Sequence, residues 1–500
     1  MTDVAPSPPV RSLHRLAPLL LALGACESSS PAVTADAATD ASPSDIADVT
    51  HDDAPADASE DIPPVRPPEI ARTMDDSVLR AQRASCGFRA GAWPAETLGR
   101  DVPVGDQIPI DHVIVLMQEN RSFDHYLSRL RAVGHTDVEV PPEDWSNPGP
   151  DGGVVRRHHD TELCVEDPDH GWNGTQRQWN NGANDGFVIT NEPDGARAMA
   201  YLDENDLPFY YSLARTFAMA DHYHCSVLGP TWPNRLYLMA GTSFGLTYNG
   251  LTTRDTRATP VDNIFRRMDA ARVSWRNYAG GGRMLAFFPY YGLTRLETRT
   301  HFRDLNDLMR DLASGDLPAV SFVEPSYAGN GGERVDEHPP GTPQAGEAFV
   351  ERVVRGVMAS PAWRRTALFI TYDEHGGFAD HVPPPAACPP DDLPPVNVRG
   401  ERQRGDFARL GFRVPFFVVS PYARRGFVSH TVYDHTSIVR FIAARFGLPA
   451  MTGRDANATP PLDMFDFANP PFMTPPALTP SNGVPADVRT RCNARFPSAI

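Results

Sequence analysis

The chain of 500 residues contains no lysine, so all 46 of its basic residues are arginine. Without lysine, the protein cannot use a side-chain amine as a nucleophile, a Schiff base or a phosphate ligand. A bound phosphate group would have to be held by arginine, histidine, a metal ion or a helix N-terminus. The net charge of −17 argues against nucleic-acid binding through phosphate contacts.

The N-terminal region lacks an apolar run long enough to cross a membrane. Leu16–Leu23 is too short for a membrane-spanning helix and follows a short basic region, as in a signal peptide. The sequence Leu23-Gly24-Ala25-Cys26 resembles the bacterial lipoprotein box, in which the chain is cut before a cysteine that is then lipidated. We therefore expect residues 1–26 to comprise a lipoprotein signal peptide and the lipidated Cys26. The protein would be exported and lipid-anchored to the bacterial cell envelope (outer membrane or cell surface), or secreted; an ordinary secretory signal is the alternative.

The chain also lacks Cys-x-x-Cys spacing, which disfavours a structural zinc site. Outside the cytoplasm, one or two disulfides with one thiol left over are expected, and the pairing stays open. The cysteines available after Cys26 are Cys86, Cys164, Cys225, Cys388 and Cys492.

Residues 27–69 contain almost no large apolar side chains and carry eleven acidic residues against Arg66 alone. Such a segment cannot bury enough surface to offset its chain entropy, so it is expected to be a disordered acidic tether. Residues 70–500 are expected to form a single catalytic domain. Its core would run from about residue 108 to about residue 450, followed by a proline-rich tail that wraps the surface.

Apolar runs and helical patterns alternate along the body. Four runs have the length and branched composition of buried strands: His112–Met117, Ala319–Val323, Ala367–Tyr372 and Pro415–Ser420. Helical patterns cover Asn234–Gly241, Asn263–Ala271, Gln344–Ala359 and Thr436–Phe446. This alternation predicts an α/β fold with a mostly parallel central sheet and helices on both faces. Ligands of such folds bind beyond the carboxyl ends of the strands.

Oxygen-bearing side chains follow three of these runs, and the one after the second run is Glu324. Glu119 and Asn120 come after the first run, and Asp373 and Glu374 come after the third. Grouped carboxylates are costly unless a cation neutralises them. Oxygen ligands suit Mg²⁺, Ca²⁺ or Mn²⁺, and Zn²⁺ remains open. The set therefore predicts a divalent metal ion, although each residue alone could be a helix cap or a loop charge.

A threonine stands at the expected start of a helix. Gly229-Pro230 predicts a turn, and Pro233 fits the first position of a helix, so Thr231 would lie at or just before the helix N-terminus. There the macrodipole and the free N–H groups favour an alkoxide and an incoming phosphate. Thr231 is thus the candidate nucleophile, with a simple helix cap as the alternative and Ser226 as a weaker candidate.

Three histidines are candidates for contact with a phosphoryl group. His170 lies in Asp169-His170-Gly171-Trp172, His338 lies in Asp336–Pro340 and His375 follows the third run. Histidine can donate to a phosphoryl oxygen or protonate a leaving group near neutral pH. A surface-loop position is the alternative interpretation for His170.

Five sequence blocks occur in order along the body. They are Glu119–His125 (ENRSFDH), Gly229–Arg235 (GPTWPNR), Asp336–Pro340 (DEHPP), Asp373–Pro385 (DEHGGFADHVPPP) and Tyr433–Ser437 (YDHTS). Together they resemble one phosphoesterase family, and the resemblance covers roughly residues 108 to 450. The family includes bacterial phosphatidylcholine-type phospholipases C unrelated to the zinc enzymes, plant non-specific phospholipases C and a bacterial acid phosphatase.

The resemblance implies a fold like that of alkaline phosphatases and sulfatases. It also implies that Thr231 attacks phosphorus and touches a metal ion, in a double displacement through a phospho-threonine intermediate. The expected substrate is a phospholipid, cleaved to diacylglycerol and a phosphorylated head group, or a small phosphoester. The implied metal ligands are Glu119, Asn120, Asp373 and Glu374, and the residues implied to contact the phosphoryl group or leaving oxygen are His170, His338 and, as a further candidate, His375.

Two features depart from the family pattern. Thr175-Gln176 stands where relatives often carry a second histidine, and little chain follows residue 450, where longer bacterial phospholipases C add β domains. The alternatives are an acid phosphatase (phosphomonoesterase) with the same site and a non-catalytic surface lipoprotein. An arylsulfatase-like enzyme ranks low because Cys225-Ser226-Val227 lacks the C/S-x-P-x-R pattern. The expected partners are the substrate and a membrane reached through the N-terminal lipid, with no nucleic acid and no protein partner.

Overall fold

The computed structural model describes residues 67–250, 262–280, 298–327, 334–396 and 403–497. The predicted signal peptide and nearly all of the predicted tether lie outside these residues. Among the helices described, none combines the length and the apolar character that a membrane crossing requires.

An eight-stranded sheet forms the centre of the body, with two small two-stranded sheets beside it. The strands are β1 (His112–Gln118), β2 (Ser146–Pro148), β3 (Val154–Arg156), β4 (His158–His159), β5 (Ala200–Tyr201), β6 (Ala218–Ala220), β7 (Trp275–Ala279), β8 (Phe302–Arg303), β9 (Val320–Glu324), β10 (Thr366–Tyr372), β11 (Phe416–Val419) and β12 (Val428–Ser429). The order in the large sheet is β12-β6-β11-β10-β1-β9-β7-β8.

Helices connect and cover these strands. They are α1 (Asp76–Ala84), α2 (Pro94–Thr97), α3 (Phe123–Leu127), α4 (Trp172–Trp179), α5 (Phe187–Thr190), α6 (Pro208–Thr216), α7 (Thr231–Ala240), α8 (Ile264–Ala270), α9 (Leu305–Ser314), α10 (Pro343–Ala359), α11 (His435–Phe446), α12 (Gly453–Asn457) and α13 (Ala486–Arg495).

The central strands are covered on both faces. All seven residues of β10 are buried, and neighbouring residues of a strand point to opposite faces of the sheet. Its composition, TALFITY, is rich in branched and aromatic side chains that fit a strand buried on both sides. In the parallel register of β1 and β10, Gln118 pairs with Tyr372, so the two strands end side by side.

The predicted α/β fold with a mostly parallel sheet is confirmed. All four predicted strands and all four predicted helices are present, with ends that differ by at most three residues. Within the described sheet, β11 runs antiparallel to both of its neighbours, β10 and β6. The prediction that Pro233 begins its helix is wrong, because α7 already begins at Thr231 and Pro233 is its third residue.

The cysteines and the C-terminal tail are tied to the body. Disulfides join Cys86 to Cys388 and Cys164 to Cys492, and Cys225 is a buried free thiol. The pairing fits the expectation of one or two bridges with one thiol left over. The tail also contributes buried side chains, such as Phe472 at 1% exposure, and therefore packs into the core as well as lying over it.

Candidate active site

The ends of β1 and β10 bring two predicted ligand pairs together. Because Gln118 pairs with Tyr372, the residues that follow, Glu119 and Asp373, emerge at the same edge of the sheet. The backbone N–H of Asn120 donates to Oδ1 of Asp373 at 3.1 Å. Asn120 has a φ of 60°, in the left-handed region that asparagine tolerates better than most residues, and this conformation belongs to the turn that leaves β1.

Arg235 joins the same two carboxylates from helix α7. Its Nε lies 3.0 Å from Oδ2 of Asp373, and its Nη2 lies 3.3 Å from Oε1 of Glu119. Nη2 also donates to the backbone oxygen of Gln118 at 3.1 Å. A buried guanidinium thus offsets part of the negative charge and fixes α7 against both strand ends.

Thr231 is the first residue of α7 and is 2% exposed. Thr231 and Arg235 are four residues apart, so they lie on the same face of the helix. That face is directed towards Asp373, because Arg235 contacts it. The hydroxyl of Thr231 has no hydrogen-bond partner among the described residues, whereas the hydroxyl of Ser226 donates to Asp434 at 2.8 Å.

The turn before Thr231 is held by the side chain of Asn234. Its Oδ1 accepts a hydrogen bond from the backbone N–H of Val227 at 3.0 Å, and its Nδ2 donates to the oxygen of Gly229 at 2.8 Å. This asparagine therefore closes the loop over residues 227–230 and fixes the place where the helix begins.

Four buried polar atoms without hydrogen-bond partners lie at this edge of the sheet. Both amide atoms of Asn120, Oε1 of Glu374 and Oγ1 of Thr231 have no hydrogen-bond partner in the part of the chain that the structure describes. Burial, with the nearby charge of Asp373, raises the pKa of Glu374 to about 8 and that of Glu119 well above its usual range. Orphaned oxygens and destabilised carboxylates are what a divalent cation would satisfy, so the residues fit a metal ion.

The described residues contain three compact groups of acidic and histidine side chains that could hold a metal ion. Asp167, His170 and His338 form one group, which adjoins the predicted ligands. The four predicted ligands are not one of these three groups, and Arg235 contacts two of them, Glu119 and Asp373. In a second group, Asp124 and Asp380 are neutralised by Arg413; the third group is His159, Asp203 and Asp206.

His170 and His338 face each other beside Glu374. Their rings meet edge to face with centroids 5.4 Å apart, and Nε2 of His170 lies 3.9 Å from Oε1 of Glu374. Burial lowers the pKa of His170, but the negative charges of Asp167 and Glu374 outweigh it and raise that pKa to about 10. Burial, with Arg334 nearby, lowers the pKa of His338 well below its usual range. The structure thus brings both predicted histidines to the ligand cluster.

His375 is also adjacent to the cluster, but its ring is packed differently. Its Nε2 donates to the amide oxygen of Gln178 at 2.8 Å, and its Nδ1 lies 3.3 Å from Oε2 of Glu374. The ring packs against Phe412 with centroids 4.5 Å apart, and burial lowers its pKa well below the usual range. These contacts place His375 as a support for Glu374.

Sequence reasoning gave no role to Arg235 or Asp167, although both lie within the cluster. Arg235 had a detectable signal, because it stands four residues after Thr231 on a predicted helix. Asp167 stands three residues before His170 and approaches it at 3.5 Å, but its approach to His338 at 3.8 Å joins segments far apart in the chain and had no local signal.

In this α/β fold, a buried hydroxyl, a cluster of oxygen atoms that fits a cation, and histidines meet at one edge of the sheet. A sequence model of the phosphoesterase family matches residues 110–449. The chain belongs to this family and is therefore a hydrolase of phosphoester bonds.

Several curated relatives are similar over most of the chain. Phospholipase C B of Mycobacterium tuberculosis is 33% identical, over 81% of this chain and 88% of the relative. The non-hemolytic phospholipase C of Pseudomonas aeruginosa is 32% identical, over 76% of this chain and 61% of the relative. Non-specific phospholipase C6 of Arabidopsis thaliana is 30% identical, over 75% of each. The family predicted from the five blocks is confirmed.

Solved structures show more distant similarity. A protein of the alkaline phosphatase superfamily from Vibrio parahaemolyticus is 12% identical, with 66% of this chain and 77% of that chain covered and a TM-score of 0.31. The lipoteichoic acid synthase LtaP of Listeria monocytogenes is 10% identical, with 79% and 93% covered and a TM-score of 0.35. Both scores are low, so the fold description rests on the sheet topology of the chain itself.

Proposed function

We propose that this protein is a phospholipase C that cleaves phospholipid to diacylglycerol and a phosphorylated head group. The observation that carries the proposal is the buried hydroxyl of Thr231, at the N-terminus of α7 and on the same helix face as Arg235, which contacts Asp373 and Glu119. Relatives named phospholipase C that cover most of the chain support this choice of substrate class.

In the proposed reaction, Oγ1 of Thr231 attacks phosphorus, and the bond from phosphorus to the glycerol oxygen breaks. Diacylglycerol leaves after its oxygen gains a proton, and the head-group phosphate stays on Thr231. Water then attacks phosphorus, the bond to Oγ1 breaks, and the phosphorylated head group is released while the hydroxyl is restored. The helix N-terminus favours the negative oxygens, and positioning supplies most of the rate enhancement.

The surrounding residues hold and orient these groups. Glu119, Asn120, Asp373 and Glu374 would hold a divalent cation, which would lower the pKa of the Thr231 hydroxyl and neutralise charge on the phosphoryl oxygens. His170 and His338 would contact the phosphoryl group or the leaving oxygen, and His375 would support Glu374. Mg²⁺, Ca²⁺, Mn²⁺ and Zn²⁺ are the ions to compare.

The test compares wild-type protein with Thr231→Ala and Thr231→Ser on phosphatidylcholine and on p-nitrophenyl phosphate. We expect phosphocholine release by wild type, loss of more than about a thousandfold in the alanine variant and partial activity with serine. Thr366→Ala is the matched control, because Thr366 begins β10 at the opposite edge of the sheet. Acid-quenched samples should carry a phosphocholine adduct on the peptide that contains Thr231.

Two outcomes would change the assignment. Turnover of the monoester with none of the phospholipid would select the acid phosphatase alternative with the same site. Full activity in Thr231→Ala would exclude Thr231 as the nucleophile.

We also propose that the chain is exported and carries a lipid on Cys26, as its N-terminal sequence predicts. Labelling cells with a radioactive fatty acid should mark the wild-type protein and not Cys26→Ser. Equal labelling of the two proteins would refute the anchor.

A further inference from the structure

The carboxylate of Glu337 lies in the interior and accepts four side-chain hydrogen bonds. Its Oε2 accepts from the hydroxyls of Tyr126 at 2.6 Å and Tyr372 at 2.7 Å. Its Oε1 accepts from the hydroxyl of Tyr210 at 2.6 Å and from the amide of Gln118 at 2.9 Å. Four donors satisfy a buried carboxylate well, and together they fix its position.

The backbone around Glu337 accommodates this side chain at two places. Glu337 itself has a φ of 72°, a left-handed conformation that glycine adopts freely and glutamate does not. Gly346, inside helix α10, leaves the space that the side chain occupies: a Cβ there would lie 2.0 Å from Cγ of Glu337. Glycine is unfavourable in a helix interior. Two unfavourable features, the left-handed backbone of Glu337 and the glycine inside α10, are therefore tolerated here. They indicate that the side chain of Glu337 has a role beyond packing.

Two of the four donors directly precede the predicted metal ligands. Gln118 is the last residue of β1 and is followed by Glu119-Asn120. Tyr372 is the last residue of β10 and is followed by Asp373-Glu374. One carboxylate thus bonds to the residue before each ligand pair, and it joins the two strands at their carboxyl ends.

The backbone of the same loop makes further contacts with the site. The oxygen of Glu337 accepts from Nε of Arg121 at 2.8 Å and from its Nη2 at 2.6 Å. The oxygen of Asp336 accepts from the backbone N–H of Glu119 at 2.9 Å. His338 is the next residue of the loop, so the position of its ring depends on how Glu337 is held.

We propose that Glu337 is a positioning residue that sets the geometry of the metal-ligand cluster and of His338. It acts through Gln118, Tyr372 and its own backbone, and it does not touch the substrate. This role rests on the proposed function in assigning a reaction to the site, but the positioning of the metal ligands can be measured separately.

The test uses the full-length protein and the variant Glu337→Gln, which keeps the size of the side chain and one of its two acceptor oxygens. The matched control is Asp455→Asn. Asp455 is another buried carboxylate, and it accepts from the backbone N–H of Met451 at 2.8 Å and of Thr452 at 2.6 Å, with no contact to Glu337 or its four donors. Mn²⁺ affinity is measured by calorimetric titration, and kcat and KM are measured on p-nitrophenyl phosphate.

We expect Glu337→Gln to weaken Mn²⁺ binding by about tenfold to a hundredfold, the range seen when residues that orient metal ligands are replaced. kcat should fall by a similar factor with KM nearly unchanged, and Asp455→Asn should bind Mn²⁺ like wild type. Mn²⁺ binding by Glu337→Gln as tight as wild type, or equal losses in the two variants, would overturn the proposal.

Two further variants keep the test decisive if Glu337→Gln does not fold. Tyr372→Phe removes one donor and keeps the ring, and Gly346→Ala displaces the carboxylate from the side of α10. Both should weaken Mn²⁺ binding, and unchanged binding in both would overturn the proposal. If wild type fails to cleave phospholipid but its Mn²⁺ affinity still depends on Glu337, the proposed function fails and the positioning role stands.

Discussion

The guanidinium of Arg235 and the carboxylate of Asp373 form an ion pair, with Nε 3.0 Å from Oδ2 and the side chains exposed by only 2% and 0%. The same guanidinium reaches Glu119, so one arginine compensates two acidic side chains of the cluster. The positive charge of Arg235 and that of the proposed metal ion would therefore act on the same carboxylates.

Replacing Arg235 with methionine should make the fold depend on metal. In the presence of a chelator, we expect the free energy of unfolding to fall by about 3 kcal/mol or more, because two buried carboxylates lose their partner. Mn²⁺ should restore much of the loss. Arg83→Met is the control, since the buried Arg83 pairs with Asp76 at 3.3 Å, outside the three groups that could hold a metal ion. Denaturant unfolding with and without Mn²⁺ measures the loss of stability and its rescue in each variant. Equal rescue of the two variants would contradict the interpretation.

Replacing Asn234 with alanine should slow the reaction without weakening metal binding. The variant frees the turn over residues 227–230, and a shift of Thr231 of about 1 Å can lower kcat by up to about a hundredfold. Asn457→Ala serves as control, because Asn457 donates to the oxygen of Phe88 at 2.9 Å in another part of the body. Initial rates on p-nitrophenyl phosphate and Mn²⁺ titrations separate the two effects; a loss of Mn²⁺ affinity would assign Asn234 a different role.

Replacing Glu347 with glutamine should flatten the dependence of stability on pH. Burial raises the pKa of Glu347 from 4.5 to about 8, so the folded protein keeps a proton that the unfolded chain releases. Its stabilising contribution is complete below about pH 4.5 and is lost as the pH rises towards 8. Urea unfolding at several pH values between these limits should show a smaller decline in the free energy of unfolding for Glu347→Gln than for wild type. Glu351→Gln, one turn further along α10, should keep the wild-type slope of stability against pH. Identical slopes in all three proteins would refute the raised pKa of Glu347.

Replacing Gly376 with alanine should disturb Asn120 specifically. Gly376 has a φ of 65°, and a Cβ there would lie 2.0 Å from the backbone oxygen of Asn120. Gly91 has a φ of 86° with nothing within 4 Å of a Cβ, so Gly91→Ala introduces similar backbone strain and no clash. Both variants should lose about 1 kcal/mol of stability from the strain. Only Gly376→Ala should also lose Mn²⁺ affinity, as a titration of the two variants would reveal.

The sequence was most informative about the site where polar side chains come just after a predicted strand. Glu119 and Asp373 could be placed together because apolar runs identify buried strands and parallel strands end at one edge. The antiparallel direction of β11 could not be predicted, because the apolar composition of a strand does not indicate whether it is parallel or antiparallel to its neighbours. The contacts of Glu337 with Tyr126 and Tyr210 join residues 211 and 127 positions apart, and no local pattern encodes such distances. Pro233 was misplaced because proline is tolerated throughout the first turn of a helix.

The two disulfides enclose overlapping stretches of the chain, from Cys86 to Cys388 and from Cys164 to Cys492. A single proteolytic cut anywhere between Cys164 and Cys388 falls inside both covalent rings. The two fragments would then remain joined by both bridges and would separate only after reduction. A protease acting on this part of the chain would thus leave one cross-linked molecule, with both halves of the site still attached to each other.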